Sequence, residues 1–312
     1  MVEAGILAAV AIVMALISMY VPVLGAFINF LWPLPIVICG CRHGLKWSIM
    51  TLIVASIIIA MVLSPVTAFF LAAIFGLLGI ILGECLRRHL PPAKIMLYGT
   101  IGGIVALVLN IVLSFLVLGI DPIEMMFTSF NDSLGQLETY YREHGMSDAD
   151  IKQAIDGYAE MFRMMRIIMP GAFLLLAPVM AFVNYYTAKK ILKRLGETFE
   201  DLPSLMRLQL PVWLVWPFLL SLVAVTYFYK TDQSSWMYTF SVNVQTVCSF
   251  LFIFQGIILL YWYVAKKGKP RWWANVAVIV IFAVPLISQI MVYIGAFDSI
   301  ADFRKLRPRN RK

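Results

Sequence analysis

Long apolar runs, rather than short alternations, dominate the chain. Nine of them fall at roughly 3–20, 25–41, 47–64, 66–86, 95–118, 167–188, 212–229, 237–265 and 273–296. Each is about long enough to cross ~30 Å of hydrocarbon as a helix, the second only marginally. That second run contains Pro33 and Pro35 in "NFLWPLPIVICG". Its start is expected to be irregular or partly re-entrant, because proline removes a backbone donor. The pattern predicts an all-α, polytopic membrane bundle of about nine transmembrane helices.

One stretch breaks the pattern. Residues 119–166 are polar, and Asp121 to Met165 hold 9 of the 17 acidic residues and 3 basic ones. Asp121 can cap a helix, Pro122 suits the first turn and Glu124 the third position. Ile123, Met126, Phe127, Phe130, Leu134, Leu137 and Tyr141 follow at helical spacing. Gly145 ends that helix and Ser147 can cap a second one, with Ile151, Ile155, Tyr158, Phe162 and Met165 along one face. The segment therefore reads as an amphipathic helical hairpin at about 119–166. Its apolar faces are expected to lie on the membrane surface or on the mouth of the bundle.

Composition agrees with the runs. The chain is 62% hydrophobic and 13% charged, against ~25% charged in soluble domains. Its net charge of +8 does not point to nucleic acid, because the basic residues cluster where apolar runs end. That is the pattern of loops facing an anionic membrane. With the N-terminus inside, the loops 42–46, 87–94, 189–210 and 266–271 hold 14 Lys and Arg, and the opposite loops hold 5. The expectation is a multi-pass protein of the cell membrane with a cytoplasmic N-terminus and an extracytoplasmic hairpin. The tail conflicts with this. Nine crossings put Asp302–Lys312, with its 6 basic residues, outside, unless the last run, broken at Pro285, does not cross. The first run lacks a basic leader and a small-residue cut site, so it reads as an uncleaved span.

The linker "GETFEDLPS" (Gly196–Ser204) suggests a division. Residues 1–195 form a six-span core that includes the hairpin, 196–211 a linker, 212–296 a three-span unit and 297–312 a basic tail.

Candidate chemistry is sparse. Ala4, Ala8, Ala11 and Ala15 make a small-residue stripe on the first span, suited to close packing inside the bundle or to docking a membrane partner. Gly79, Gly83, Gly99 and Gly103 repeat that spacing and suggest packing. Polar residues inside spans carry a functional prior. Asn29, Trp32, Asn110 and Asn184 are candidate ligand-binding residues, alongside Gln245, Gln255 and Gln289 as helix-to-helix donors. Arg166 stands where the sixth span begins and can attract an anion or snorkel to headgroups. Cys39, Cys41 and His43 lack a second cluster, so no metal site is expected. Cys85 and Cys248 add no disulfide framework. Glu84 suits an ion pair with Arg87 and Arg88. With no catalytic triad, phosphate loop or paired intramembrane carboxylates, neither an enzyme nor a cofactor is expected.

Tyr20–Trp47, "YVPVLGAFINFLWPLPIVICGCRHGLKW", follows the alanine-striped span and precedes two more spans. It resembles the YybS-like membrane proteins of Gram-positive bacteria, a family of unknown function, and the ending "FDSIADFRKLR" is similar too. The first six spans also resemble the substrate-capturing S subunits of energy-coupling-factor transporters, in span number, inside N-terminus and alanine stripe. That resemblance implies a subunit without its own ATPase. Ala4, Ala8, Ala11 and Ala15 would dock on a transmembrane coupling subunit driven by paired ATPases. Asn29, Trp32 and Asn110 would line a pocket for a small organic solute under the outer hairpin at 119–166. The loop before the sixth span is longer than in S subunits, and three extra spans follow. Non-transporting proteins of the cell-wall elongation machinery share the six-span shape, which implies a membrane scaffold linked to envelope processes as the alternative.

Overall fold

The computed structural model describes residues 2–119, 121–200 and 205–306; positions 201–204 of the linker and 307–312 of the tail lie outside the described residues. Among the described residues, eight stretches are long and apolar enough to span a bilayer. The chain is an all-α, polytopic membrane protein, and it divides into two compact units. One comprises 1–161 and 176–201, the other 162–175 and 202–312.

The first unit opens with α1 (Val2–Tyr20). Its four alanines are the buried positions of the helix, while Ile6, Val10 and Val13 on the opposite face are exposed and suit lipid. The second apolar run is two short helices, α2 (Pro22–Leu31) and α3 (Leu34–His43). They break at Trp32–Pro33, where the sequence predicts irregularity. Residues Leu34–Cys41 are all buried, so freed backbone groups are shielded from lipid. Gly44, at φ +87°, makes the turn into α4 (Leu45–Val62), a conformation glycine adopts without steric penalty.

Ser64 caps α5 (Pro65–Leu71) by accepting from the Thr67 N–H. A π-helical turn at Ala72–Gly76 leads into α6 (Leu77–Arg87). Here the predicted small-residue pair is used for packing. A methyl on Gly83 would meet the Val37 carbonyl at 2.9 Å, and one on Gly79 would meet Ile36 at 2.9 Å. In α7 (Pro92–Leu113), Gly99 and Gly103 pack against Ala181 and Ala177 in the same way. At one end of this unit Glu3 pairs with Arg42 and His43, and Glu84 holds Arg87 and Arg88, each at 2.7 Å.

The polar segment is a helical hairpin with the caps read from sequence. Asp121 accepts from the Ile123 and Glu124 N–H groups at the start of α8 (Pro122–Glu143). Gly145 takes φ +75°, and Ser147 caps α9 by accepting from the Asp150 N–H. The two apolar stripes face each other. Ile151 is buried, a hydrogen bond between Tyr141 and Tyr158 raises the Tyr141 phenol above its ordinary pKa, and Arg142 pairs with Asp148 at 3.5 Å. The arms meet near the tip, while Met126, Tyr158 and Met165 of the same stripes stay exposed, an apolar surface that suits the membrane or the mouth of the bundle.

α9 runs Asp148–Arg194 without interruption, 47 residues. At 1.5 Å per residue it measures about 70 Å, roughly 40 Å more than the hydrocarbon thickness. The sixth apolar run is therefore the second half of a helix that begins in the hairpin.

The second unit holds α10 (Val215–Thr231), α11 (Trp236–Lys266), α12 (Trp272–Ala283) and α13 (Pro285–Ala301). Its core gathers Phe218, Cys248, Phe252, Ile281, Met291 and Val292, with the Phe218 and Phe252 rings edge-on at 5.3 Å. α11 and α13 meet backbone to backbone, since a methyl on Gly295 would overlap the Phe252 carbonyl. The ninth apolar run is not a straight helix: α12 and α13 are bent by 114° at Val284, followed by Pro285. Proline supplies no N–H and is tolerated in a first turn.

Candidate functional site

The residues singled out from sequence do not gather into one site. In the first unit Trp32 is fully buried, and its Nε1 donates to the Ala11 carbonyl at 3.1 Å. Ala11 is midway along α1, so the indole stitches the broken second run to the first helix. Its ring also meets Phe75 at 6.2 Å. Asn29 accepts from the Ser18 hydroxyl at 2.6 Å. Asn184, fully buried, donates to the carbonyls of Phe30 at 2.8 Å and Met180 at 2.9 Å. Trp32 thus ties the α2–α3 break to α1, Asn184 satisfies the Phe30 carbonyl beside that break, and both side chains are fully buried. Arg166 belongs to the second unit.

Among the described residues, three buried side-chain atoms of the first unit remain without partners: Ser56 Oγ, Asn110 Nδ2 and Asn184 Oδ1. The two asparagines are not side by side. Gly103 faces Ala177 and Gly99 faces Ala181, so α7 and α9 run antiparallel, and Asn110 lies towards the Ser114 end of α7, away from Asn184. Ser114 donates back to the Asn110 carbonyl at 2.6 Å, beside a π-helical turn at Ser114–Leu118.

The docking reading of the alanine stripe meets a direct obstacle. Ala4, Ala8, Ala11 and Ala15 are at most 7% exposed, and Ala11 and Ala15 pack in one cluster with Trp32, Ile36, Ala55 and Ile59. The stripe is occupied by α3 and α4 of the same chain. A separate subunit would have to displace them.

A cavity of about 390 Å³ opens at the end of this unit that carries Arg87 and Arg88. Its lining includes His89, Pro92, Tyr185, Phe199 and Glu200. His89 adopts φ +49° in a Schellman cap, with its N–H on the Leu86 carbonyl and the Leu90 N–H on the Cys85 carbonyl. That turn aims its ring at Phe199, 5.6 Å away. Lys189, nearly buried, reaches across the Tyr185 ring at 5.9 Å and donates to the Glu200 carbonyl. The linker's first residues are thereby strapped to the end of α9. Among the described residues, no three His, Cys, Asp or Glu side chains gather to hold a metal ion.

The second unit contains the polar residues that sequence reading missed. Asn243 on α11 donates Nδ2 to the Ile167 carbonyl at 2.7 Å and accepts from the Gly171 N–H at 2.5 Å. Those are the two ends of one α-helical rung, beside Pro170. Proline interrupts the ladder there, and the carboxamide bridges the gap. Deeper in the unit, Asp298 and Arg304 form an ion pair at 2.9 Å with both side chains fully buried. Gln255 donates to Asp298 Oδ2 at 2.6 Å, and Arg304 also donates to the Met206 carbonyl at 2.8 Å. Asp298 Oδ1 has no partner. A buried charge is tolerated only when paired in this way. Asp298 lies in the "FDSIADFRKLR" ending, whose basic count alone suggests a solvated tail.

Comparison with known proteins adds a family. Residues 9–299 match the family described as "Predicted membrane protein (DUF2232)". The chain is 26% identical over 296 residues, 95% of its length and 94% of the relative's, to "Uncharacterized protein YybS" of Bacillus subtilis (strain 168). No solved structure matches.

Proposed function

Since the chain belongs to the DUF2232 family of membrane proteins, we propose that it serves as a non-transporting membrane scaffold in envelope processes, presenting the α8–α9 hairpin to a protein partner beyond the bilayer. The observation that carries this reading is α9. Its 47 residues run unbroken from the Ser147 cap to Arg194, so the hairpin is joined to the membrane by helix rather than by a flexible loop. Polar side chains at the α2–α3 break serve the fold, and the alanine stripe is covered by the chain itself, which leaves the hairpin as the feature that reaches outward. On this reading the N-terminus and the basic loops face the cytoplasm.

The test is cross-linking from a photoreactive group at exposed Tyr140 in the full chain, followed by purification from native membranes. Wall-synthesis or division proteins should be captured, and Ile151→Asp, which places a charge between the arms, should abolish the capture. Recovery of paired ATPases with a transmembrane coupling subunit would overturn the reading.

A second reading is a solute-capturing subunit of a transport system that lacks its own ATPase. The unpartnered Asn110 Nδ2 favours it, because buried polar atoms are satisfied in most proteins and a small organic solute can supply the missing acceptor. A deletion strain that fails to take up one labelled solute, restored by the wild-type chain and not by Asn110→Leu, would establish it.

A further inference from the structure

The bent α12–α13 pair raises a question of topology that the buried ion pair answers. α10 and α11 are consecutive antiparallel spans joined by the short turn Asp232–Ser235, so the start of α10 and the end of α11 share one face of the bilayer. α12 begins at Trp272, shortly after α11 ends at Lys266. It has 12 residues, about 18 Å, against ~30 Å of hydrocarbon. The 114° bend then sends α13 back rather than onward.

The end of α13 fixes where it returns. Arg304 donates to the Met206 carbonyl, and Gln209 Nε2 donates to the Asp298 carbonyl at 3.4 Å. The Leu210 N–H donates to Gln255 Oε1 at 3.3 Å, and Gln255 in turn donates to Asp298. Met206–Leu210 lead directly into α10. The chain thus leaves α13 at the face where α10 begins, which is the face where α12 entered.

We propose that α12 and α13 form a re-entrant hairpin, latched at its exit by the buried Asp298–Arg304 pair, so that the chain crosses the bilayer eight times and the C-terminal tail shares a face with the 266–271 loop. Charge agrees. The 6 basic residues of 302–312 then lie with the 4 of that loop, and the conflict that nine crossings create disappears. Stacked Trp272 and Trp273, 4.2 Å apart, and Lys269 over Trp273 anchor the entry at the headgroup level. Exposed Ile279, Phe282 and Leu286 give the bend an apolar surface.

The test uses single cysteines in a chain whose Cys39, Cys41, Cys85 and Cys248 are replaced by alanine. An impermeant maleimide is applied to intact and to opened cells that carry Gly145→Cys, Gly268→Cys or Lys305→Cys. Positions 268 and 305 should label under the same condition, and 145 under the opposite one. Labelling of 305 with 145 overturns the hairpin and makes the pair a ninth crossing. For the latch, Arg304→Ala should raise the labelling rate of a Ser299→Cys chain, where the parent side chain is fully buried, at least ~10-fold, because a buried pair broken on one side leaves an uncompensated charge that opens the site. An unchanged rate in correctly inserted protein refutes the latch. If the variant fails to insert, Asp298→Asn with Arg304→Gln, which keeps the shapes and removes both charges, should label faster than the parent; an unchanged rate refutes the latch there too.

Discussion

Asn243 carries the sharpest energetic prediction. Pro170 has no N–H, and its ring clashes with the carbonyl one turn back, so the ladder of α9 is interrupted beside it. The Asn243 carboxamide reaches both ends of the neighbouring rung, the Ile167 carbonyl at 2.7 Å and the Gly171 N–H at 2.5 Å. Asn243→Leu keeps the branched shape of the side chain and strands both groups. An unsatisfied buried backbone group costs about 1–3 kcal/mol, while side-chain hydrogen bonds inside membrane proteins average nearer ~0.6 kcal/mol and reach about 1.7 kcal/mol. For two groups the expected loss is about 2–4 kcal/mol, or roughly 30- to 700-fold in the folding equilibrium. The assay is reversible unfolding in mixed micelles, followed by tryptophan fluorescence. The cause is isolated by repeating the substitution in a Pro170→Ala chain, where the helix closes its own rung. There the cost of Asn243→Leu should fall below ~1 kcal/mol, giving a coupling energy of about 1–3 kcal/mol. An equal cost in both backgrounds would refute the account, since Asn243 would then stabilise the unit by something other than mending α9.

Further outcomes follow from single contacts. Gly295→Ala drives a methyl into the Phe252 carbonyl and should lower stability by at least ~3 kcal/mol in the same unfolding assay. Gly135→Ala, on an exposed face of α8 with nothing within 4 Å, should raise it by about 0.5–1 kcal/mol. Trp32→Phe removes the donor to Ala11 and should cost about 1–3 kcal/mol, whereas an unaffected melting point would show that the indole nitrogen does not tie the α2–α3 break to α1. Asp121→Ala deletes an N-cap that accepts from two N–H groups and should speed hydrogen exchange across the first turn of α8, by about 0.5–2 kcal/mol of local stability, and leave the tip at Gly145 unchanged.

What was legible in the sequence was local. Asp121, Gly145 and Ser147 announced the hairpin because caps and left-handed turns depend on the residue and its immediate neighbours. Gly79, Gly83, Gly99 and Gly103 announced close packing because only small residues permit it, though the helices they touch were not named by the pattern. The unbroken α9 was hidden, since the change from polar to apolar near position 166 marks a solvent boundary, and a helix can cross such a boundary without ending. Asn243 was overlooked because its partners are main-chain groups 72 and 76 positions away. Asp298 and Arg304 were masked by the basic residues around them; their burial depends on Met206 and Gln255, far off in the chain. The candidate residues Asn29, Trp32 and Asn184 showed that polar groups inside apolar runs need partners, but polarity alone does not say whether the partner is a ligand or a peptide carbonyl.

The length of α9 has a mechanical side. A helix is stiff along its axis, and the 19 residues of this one that precede the apolar run at 167 continue about 28 Å past the hydrocarbon edge. A tilt of about 10° within the lipid swings its far tip by roughly 5 Å, close to the rise of one helical turn. Changes in bilayer thickness, which helices absorb by leaning, would thus be read at the Gly145 tip as sideways travel, transmitted past Pro170 because Asn243 mends the ladder there.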